Sequence, residues 1–448
     1  NMLTLIIARG VQGIGGGGLM SLAMIIIADI VSPRERGRYQ GYTGAVFATA
    51  SVGGPLLGGF FTDSLSWRWI FYVNAPLGLL ALVVTSSVLN LPFIRRKHRI
   101  DYLGAALLVG GVSSLLLVTV WGGQEYAWDS PTILFLAAIG VVLIGAFLVQ
   151  ERRTPEPILP LHLFQRSVFS VSAGISALVG LSMFGAAVFL PLYFQIVTGA
   201  SATRSGLLML PMVTGLMAAS ITSGRIISHR GRYRVFPIAG SFVMAIGLLL
   251  LSRLDVETPR WETAAYMLIL GLGVGMTMQT LVLAVQNVVE HEDLGAATSG
   301  VNFFRSMGGA FGVALFGTIL NDRLNYYVPR HVPADVLQSM GNPSGDALGR
   351  SRQVIELLPE VARVGVVQSF ADSLDVVYLA AVPLAVLAFA VSWLLQDVPL
   401  REGVYIGAAM AEADYVPLDS DEDPAQAVQT IEREGQVNRS GFAYARRA

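Results

Sequence analysis

Long apolar runs separated by short charged segments dominate this sequence. Eleven runs approach or exceed the roughly 20 residues that a helix needs to cross a bilayer. They predict eleven transmembrane helices, at about 2–28, 41–61, 69–91, 103–121, 132–150, 170–194, 204–224, 235–253, 263–287, 295–319 and 375–396. The predicted fold class is therefore an all-α protein that crosses the membrane many times.

The composition agrees with a membrane protein and excludes several kinds of chemistry. Hydrophobic residues make up 53% of the chain and charged residues 14%, against about 25% charged in ordinary soluble domains. A net charge of -1 gives no indication of a nucleic-acid partner. The chain has no cysteine, which excludes disulfides, thiol catalysis and thiolate metal sites. The five histidines lie outside the apolar runs, so we expect no metal site, no cofactor and no enzyme activity.

Basic residues are distributed unevenly between the two sets of alternate short connections. One set holds fourteen Arg and Lys residues and the other holds four. Because positively charged connections remain in the cytoplasm, the first set and the C-terminus are expected to be cytoplasmic. The 30 basic residues include a single lysine, Lys97, a skew that hints at a GC-rich bacterial genome. These patterns predict a multi-pass protein of a bacterial plasma membrane.

The second run carries small residues in a pattern that favours close helix packing. Ala50, Gly54 and Gly58 recur every four residues and therefore share one face of a helix. Another helix backbone can approach such a face closely. Pro55 lies within the run and favours a bend, because it removes one backbone donor. The face is predicted to be either a hinge between moving parts or a tight packing seam.

Four strings in the first 78 residues resemble the 14-helix drug:proton antiporters of the major facilitator superfamily. They read ARGVQGIGGGG (8–18), PRERGRYQG (33–41), GGPLLGG (53–59) and LSWRWIFYVNAPLG (65–78). The third string resembles the end of the superfamily's antiporter motif. The positions of this chain that correspond to the whole motif are Gly41, Ala50, Gly54, Pro55, Gly58 and Gly59. Ala50 stands where the motif usually has a glycine. The resemblance implies a major facilitator fold with two pseudo-repeated halves. It also implies export of amphipathic drug-like or natural-product molecules in exchange for protons, by alternating access.

The same resemblance implies a domain layout. Residues 1–92 correspond to the last three helices of the N-terminal six-helix half, so three helices are expected before residue 1. The rest is expected to comprise two extra linking helices at 93–168, a C-terminal six-helix half at 169–397 with an extracellular loop at about 321–374, and a disordered acidic cytoplasmic tail at 398–448.

Charged and polar residues in the apolar runs are candidates for proton coupling and substrate contact. Arg9 lies within the first run, where a cation is costly, and it resembles the family's fourth-helix arginine that is implicated in coupling. The alternative is a side chain that snorkels to the membrane boundary. Asp29, at the end of that run, is the second coupling candidate. A further set of polar and aromatic residues could line the substrate path. The alternative is that these side chains only form hydrogen bonds between helices. They are Tyr193, Gln195, Gln279, Gln286, Asn302 and Arg305.

Two connections supply candidates for a cytoplasmic gate. The string GRIISHRGRYR at 224–234 resembles a degenerate copy of the superfamily's cytoplasmic loop motif, and PRERGRYQG precedes the glycine-rich helix. The gate candidates in these two strings are Arg34, Arg36, Gly37, Gly224, Gly231 and Arg232.

Carboxylates are missing from the interior of all the predicted spans, and acids such as Asp29, Asp63, Asp101 and Glu290 stand at their edges. Arginine does not titrate near neutral pH, so proton coupling needs another group. We expect a carboxylate at a span edge or in the helices before residue 1, where the family places an acid on its first span.

The expected partners are the lipid bilayer, a lipophilic or cationic small molecule, and protons. No nucleotide is expected, because His98 follows the only lysine where a P-loop has Ser or Thr. A solute:proton symporter and a non-transporting membrane sensor or scaffold remain as alternatives to an exporter.

Overall fold

The computed structural model describes residues 2–66, 68–88, 100–123, 125–339 and 358–400. Their helices are α1 (Met2–Ile30), α2 (Pro33–Ser64), α3 (Trp69–Tyr72), α4 (Asn74–Val88), α5 (Tyr102–Trp121), α6 (Pro131–Glu151), a 3-10 helix (Leu161–Gln165), α7 (Ser167–Ile196), α8 (Ala202–Leu208), α9 (Leu210–Arg230), α10 (Val235–Leu251), α11 (Arg260–Val288), α12 (Leu294–His331), α13 (Ala334–Ser339) and α14 (Glu360–Ser392). The tail predicted at 398–448 lies, after Leu400, outside the described residues.

The helices agree with the predicted spans. Within the described ranges, ten helical segments are long and apolar enough to cross a membrane. Two of them combine neighbouring helices, α3 with α4 and α8 with α9. Helix α10 is equally apolar but has only 17 residues, and it accounts for the eleventh predicted run. The all-α prediction is therefore confirmed for the described part of the chain.

Local side chains explain where several helices begin and end. The Asp101 carboxylate accepts a hydrogen bond from the Gly104 amide at 2.8 Å and so caps the start of α5. Ser130 caps α6 in the same way through the Ile133 amide, at 3.3 Å. Helix α9 ends at Arg230 and is capped by Gly231, whose φ of +70° is a left-handed conformation that glycine adopts without strain.

Helices extend from both sides into the segment predicted to be an extracellular loop at about 321–374. Helix α12 continues to His331 and α14 begins at Glu360, fifteen residues before the apolar run that starts at 375. The apolar run marks the part of a helix that faces hydrocarbon, whereas the helix itself continues into the polar region. Segments of mixed polarity at both ends of this range are therefore helical as well.

The best-packed part of the bundle surrounds α11. Helices α7, α12 and α14 pack together, α11 lies between α9 and α10, and α10 also packs against α14. Helix α2 joins this group by packing along α9. Helix α4, by contrast, has no buried residue among those described. The N-terminal helices thus contact the rest of the described chain mainly through α2.

Contacts between connections define two ends of the bundle. At one end, which we call the basic end, the α9–α10 connection binds the segment after α14, with the Leu400 amide donating to Gly231 O at 3.2 Å. Arg166 pairs with Glu290 at the same end, at 2.8 Å. The opposite end brings the C-terminus of α12 to the first half of α14, where His331 lies 3.5 Å from Asp372.

Candidate functional site

The closest contact between the N-terminal helices and the rest of the chain is the crossing of α2 and α9. Gly37, Gly41 and Gly44 lie on one face of α2. A Cβ atom on Gly37 would stand 2.8 Å from the carbonyl oxygen of Gly224, and one on Gly41 would stand 2.8 Å from that of Ser220. Both distances are shorter than real Cβ contacts, so these positions require glycine. We call this contact the glycine seam.

The glycine seam brings together two of the predicted gate residues, Gly37 and Gly224. The other gate candidates lie nearby or at its margin. Gly231 caps the end of α9, and the exposed Arg232 lies 3.8 Å from the carboxylate of Asp397. The side chain of Arg34 lies outside the described residues.

Arg36 is a fully buried gate candidate, with no exposed surface. Its guanidinium donates to Val31 O at 3.0 Å, to Gln286 O at 3.5 Å, and to Ala28 O. These acceptors belong to the end of α1, the connection to α2, and α11. A single side chain therefore ties the α1–α2 corner to α11 at the basic end.

Gln286 forms the centre of a polar network that lies about one helical turn from Arg36, towards the middle of the bundle. Its amide nitrogen donates to Thr298 at 3.0 Å and to Met24 O at 3.5 Å, while its oxygen accepts from Gln40 at 3.2 Å. The network thus connects four helices, α1, α2, α11 and α12. A polar link of this kind holds helices together in a membrane. This network lies at the interface between two groups of helices, the N-terminal helices α1 and α2 on one side and the later helices, here α11 and α12, on the other.

Asn302 and Arg305 extend this network along α12. The Arg305 guanidinium donates to Asn302 Oδ1 at 2.6 Å and to Met278 O at 3.5 Å. The Asn302 amide in turn contacts the sulfur of Met24 at 3.6 Å. Both polar residues are buried. Three predicted substrate-path residues, Gln286, Asn302 and Arg305, are therefore brought together.

Gln279 lies separately, on the part of α11 that faces the glycine seam. Only 4% of it is exposed, and neither atom of its amide group has a hydrogen-bond partner among the described residues. A Cβ on Gly44 would lie 3.2 Å from its Cγ atom. Gln279 is thus a buried polar group at the junction of α2, α9 and α11.

Tyr193 and Gln195 do not join the other substrate-path candidates, because they lie at the opposite end of α7. The Tyr193 hydroxyl donates to Asp255 O at 2.9 Å, and the Gln195 amide donates to Ser205 at 3.3 Å. Gln195 also lines an open cavity of about 340 Å³ together with Arg363 and Gln368. The predicted path residues therefore form two groups at different depths.

Nothing described packs closely against the predicted face of Ala50, Gly54 and Gly58, so its role as a hinge or a packing seam stays a prediction. A Cβ on Gly54 would meet no atom within 4 Å, and Ala50 is exposed. These residues line an apolar groove of about 710 Å³ between α2 and the α3–α4 segment. Four-residue spacing identifies a small face but does not determine what lies opposite it.

Two other motif positions do make close contacts. Gly41 belongs to the glycine seam, and a Cβ on Gly59 would stand 2.8 Å from the amide nitrogen of Thr203 in α8. Helix α2 is continuous across position 55, and nothing is described of the Pro55 side chain.

Arg9 lies on an exposed part of α1. It donates to Gln12 at 2.9 Å, and its guanidinium carbon stands 4.7 Å above the centre of the Phe71 ring. A cation over an aromatic face is a favourable arrangement. The side chain of Asp29, the other coupling candidate, lies outside the described residues.

Sequence reasoning missed Gln40, Thr298 and Ser220, which complete the contacts described above. Gln40 had a usable signal, because it follows Arg36 by four residues and so shares its helix face. Ser220 and Thr298 had none, because short hydroxyl residues occur throughout the apolar runs.

A model of the family described as Major Facilitator Superfamily matches residues 1–313. The chain belongs to the Major Facilitator Superfamily. This result confirms the family resemblance and the fold class predicted above. The superfamily consists of carriers, so the expectation that the chain is not an enzyme is confirmed as well.

Relatives in the superfamily carry transporter names. An uncharacterised MFS-type transporter of Mycobacterium tuberculosis is 42% identical over 403 residues, which are 90% of this chain and 57% of the relative. The multidrug transporter protein MdtP of Bacillus subtilis is 41% identical, over 72% of this chain and 60% of its own length. Multidrug resistance protein 3 of the same bacterium is 34% identical, over 86% and 76%. The chain thus spans about three fifths of the first two relatives.

Proposed function

We propose that this chain belongs to an exporter of amphipathic drug-like or natural-product molecules that is driven by proton exchange. The observation that carries the proposal is the arrangement at the basic end. The glycine seam lets α2 lie directly on α9, while Arg36 and Gln286 join the same groups of helices by hydrogen bonds. A close, side-chain-free contact permits sliding, and hydrogen bonds that break and re-form give two discrete positions. Such an interface suits two halves that rock about a central path.

The direction of transport and the class of substrate are inferred from the relatives. Two bacterial relatives are named for multidrug transport or multidrug resistance. We infer that the basic end faces the cytoplasm and that a lipophilic or cationic molecule passes between the two groups of helices. Gln279, Gln286, Asn302 and Arg305 would line that path, and Tyr193 and Gln195 would lie at its outer end.

Arg9 and the motif glycines have distinct proposed roles. Arg9 would respond to protonation of a nearby carboxylate, since its own charge is permanent. The groove lined by Ala50, Gly54 and Gly58 would accommodate movement of α2 relative to α4. In the same scheme, Asp29 and Arg34 would contribute charges at the cytoplasmic gate.

The test is transport by the full-length protein in an efflux-deficient bacterial host, with ethidium as the fluorescent probe. Wild-type cells should exclude ethidium, and collapse of the proton gradient with ATP intact should abolish that exclusion. Arg9→Ala should remove export while the protein remains inserted and folded, and Arg9→Lys should restore part of it. Arg152→Ala, which removes an exposed arginine from the α6–α7 connection, serves as the matched control. Full export by Arg9→Ala would leave only the snorkelling interpretation.

The alternatives predict different results in vesicles that contain the full-length protein. A symporter would accumulate ethidium on the side to which protons flow, whereas an antiporter would move it the other way. A sensor or scaffold would show no transport of any probe with any gradient.

A further inference from the structure

Acidic residues from two parts of the chain meet at the opposite end of the bundle. Asp255 lies in the α10–α11 connection, and Asp372 lies on α14. The amide nitrogen of Gln368 donates to both carboxylates, at 3.3 Å to Asp255 and at 2.9 Å to Asp372. His331, at the end of α12, lies 3.5 Å from Asp372 through Nε2 and 3.2 Å from Ser369 through Nδ1. Two like charges are therefore held close together with one histidine beside them.

Asp375 is the third carboxylate of this cluster, and it lies one turn deeper on the same face of α14 as Asp372. Its charge is within electrostatic range of Asp372 and Asp255. One of its carboxylate oxygens, Oδ1, is buried and has no hydrogen-bond partner among the described residues. An ionised carboxylate with one oxygen in such a position has no donor at that oxygen, which is costly.

Tyr378 follows Asp375 by one further turn and gives an independent sign of a site. The residue has no exposed surface, and its hydroxyl has no hydrogen-bond partner in the described part of the chain. That hydroxyl is within electrostatic range of Asp375 and Tyr193. A buried hydroxyl normally has a hydrogen-bond partner. Asp375 Oδ1 and the Tyr378 hydroxyl both lack one and lie one turn apart, which indicates that they gain partners in another state of the protein.

The surroundings supply little positive charge to Asp375. His331, the basic residue of the cluster, lies 3.5 Å from Asp372 and stacks on Tyr327, with ring centres 5.9 Å apart. Arg363 is paired with Glu360 at 2.6 Å. Helix α7 contributes Tyr193, whose hydroxyl is bonded to Asp255 O, and α10 has no titratable residue. A proton is the cation that fits, because it neutralises one of three neighbouring acids and converts an acceptor into a donor.

We propose that Asp375, together with Tyr378 and the Asp372–His331 pair, is a proton-binding site of the exporter at the opposite end of the bundle. The proposal rests on the proposed proton-driven function and names the group that binds the proton. The proton comes from the medium at that end and converts the Asp375 carboxylate to the acid. Asp375 is the first residue of the apolar run at 375–396, so the proposed site is of the span-edge kind that the sequence left open and does not lie in a helix before residue 1.

The site is tested first by proton binding, without any transport. Acid–base titration of the purified full-length protein in unbuffered detergent compares the wild type with Asp375→Asn. Between pH 9 and pH 5 the wild type should take up about one proton more than the variant, since an ordinary aspartate binds its proton only below about pH 4. Asp322→Asn, which removes an exposed acid from the same end, should titrate as the wild type does in this range. Coincident curves for wild type and Asp375→Asn would overturn the proposal.

Transport then separates the site from the function. In vesicles with an imposed pH gradient and ethidium as probe, Asp375→Asn should lose gradient-driven transport more than tenfold, and Asp375→Glu should retain it. Tyr378→Phe keeps the packing and should alter the pH at which transport is half-maximal. Equal transport by wild type and Asp375→Asn would overturn the site while leaving the function intact. Absence of proton-driven transport in the wild type would overturn the function, and the titration would still decide whether the site binds a proton.

Discussion

Gly37 and Gly224 touch backbone to backbone: a Cβ atom added to Gly37 would stand 2.8 Å from the carbonyl oxygen of Gly224, and one added to Gly224 would overlap the carbonyl oxygen of Gly37. The two residues are 187 positions apart in the sequence and belong to different groups of helices. Neither helix can carry a side chain at this point without moving apart from the other. The contact therefore sets how closely α2 and α9 approach at the basic end.

Gly224→Ala is expected to impair both stability and export, because its new methyl group meets the backbone of α2, which cannot turn away as a side chain can. The melting temperature of the purified full-length protein and ethidium efflux in cells are the two measurements. Gly145→Ala on α6 is the matched control, since a Cβ there meets nothing within 4 Å. A Gly224→Ala protein as stable and active as Gly145→Ala would show that the two helices do not meet this closely.

The sequence predicted the helices well, because a helix that crosses the hydrocarbon core of a membrane needs a long run of apolar residues, and such runs are visible in the sequence. Each of the eleven predicted runs lies on a helix of the described structure, and Gly37 and Gly224 were both gate candidates, although the sequence did not relate them to each other. It placed Ala50, Gly54 and Gly58 on one helix face as a hinge or a packing seam, and the close contact among the described residues runs through Gly37, Gly41 and Gly44. Spacing defines a helix face, but which face meets another helix depends on contacts between distant parts of the chain.

The acids of α14 were missed for a different reason. The apolar run at 375–396 put Asp375 at a span edge and Asp372 in a loop, because hydropathy detects only the hydrocarbon-facing part of a helix. The helix begins at Glu360, so both acids lie on α14, where Asp372 is 3.5 Å from His331. Relations of this kind depend on helix ends, which apolar runs locate poorly.

Arg36→Ala should destabilise the protein by roughly 3 kcal/mol, since each hydrogen bond from a charged group is worth about 1.5–3 kcal/mol and the buried carbonyls lose their donor. Arg36→Lys should recover only part of the loss, because an ammonium group cannot reproduce the fork of the guanidinium. Chemical unfolding of the purified full-length protein measures both. Arg38→Ala, which removes an exposed arginine two residues away, is the control. A loss below about 1 kcal/mol for Arg36→Ala would contradict the structural role of these bonds.

Orientation in the membrane can be tested with single cysteines, because the chain has none of its own. Glu257 is exposed in the α10–α11 connection at the opposite end, and Arg153 is exposed in the α6–α7 connection at the basic end. In intact cells an impermeant maleimide should label Glu257→Cys and spare Arg153→Cys, and both should be labelled after lysis. The reverse pattern would place the basic end outside and overturn the proposed direction of transport.

Asp101 provides a pH-dependent test at the start of α5. The hydrogen bond from the Gly104 amide, supported by those from Gln150 and Thr154, holds the pKa of the Asp101 carboxyl below its ordinary value of 3.8. A lowered pKa in the folded state means that the stabilisation is complete above the unfolded value and disappears as the pH falls through the folded value.

Asp101→Ala should therefore melt below the wild type at pH 7, and the difference should persist down to about pH 4 and shrink below it. Thermal melting of the purified full-length protein across this range is the measurement. Asp129→Ala, which removes an exposed acid from the α5–α6 connection, should melt as the wild type does throughout. A difference that grows as the pH falls would mean that Asp101 is not stabilised in its charged form.

Gln279 offers a test in which stability and function should change in opposite directions. Its amide group is buried without a hydrogen-bond partner among the described residues, and an amide left in that position costs about 1–3 kcal/mol. Gln279→Leu removes the polar group at similar volume, so the melting temperature of the full-length protein should rise. If the amide contacts the substrate or its water in another state of the cycle, the same variant should export ethidium less well.

Thr280→Val, a polar-to-apolar change at the neighbouring position, is the control. The Thr280 hydroxyl is already bonded to Met276 O at 2.8 Å, so this variant should not gain stability. A Gln279→Leu protein that is more stable and fully active would remove Gln279 from the substrate path, and one that is less stable would show that its amide is satisfied in the resting protein.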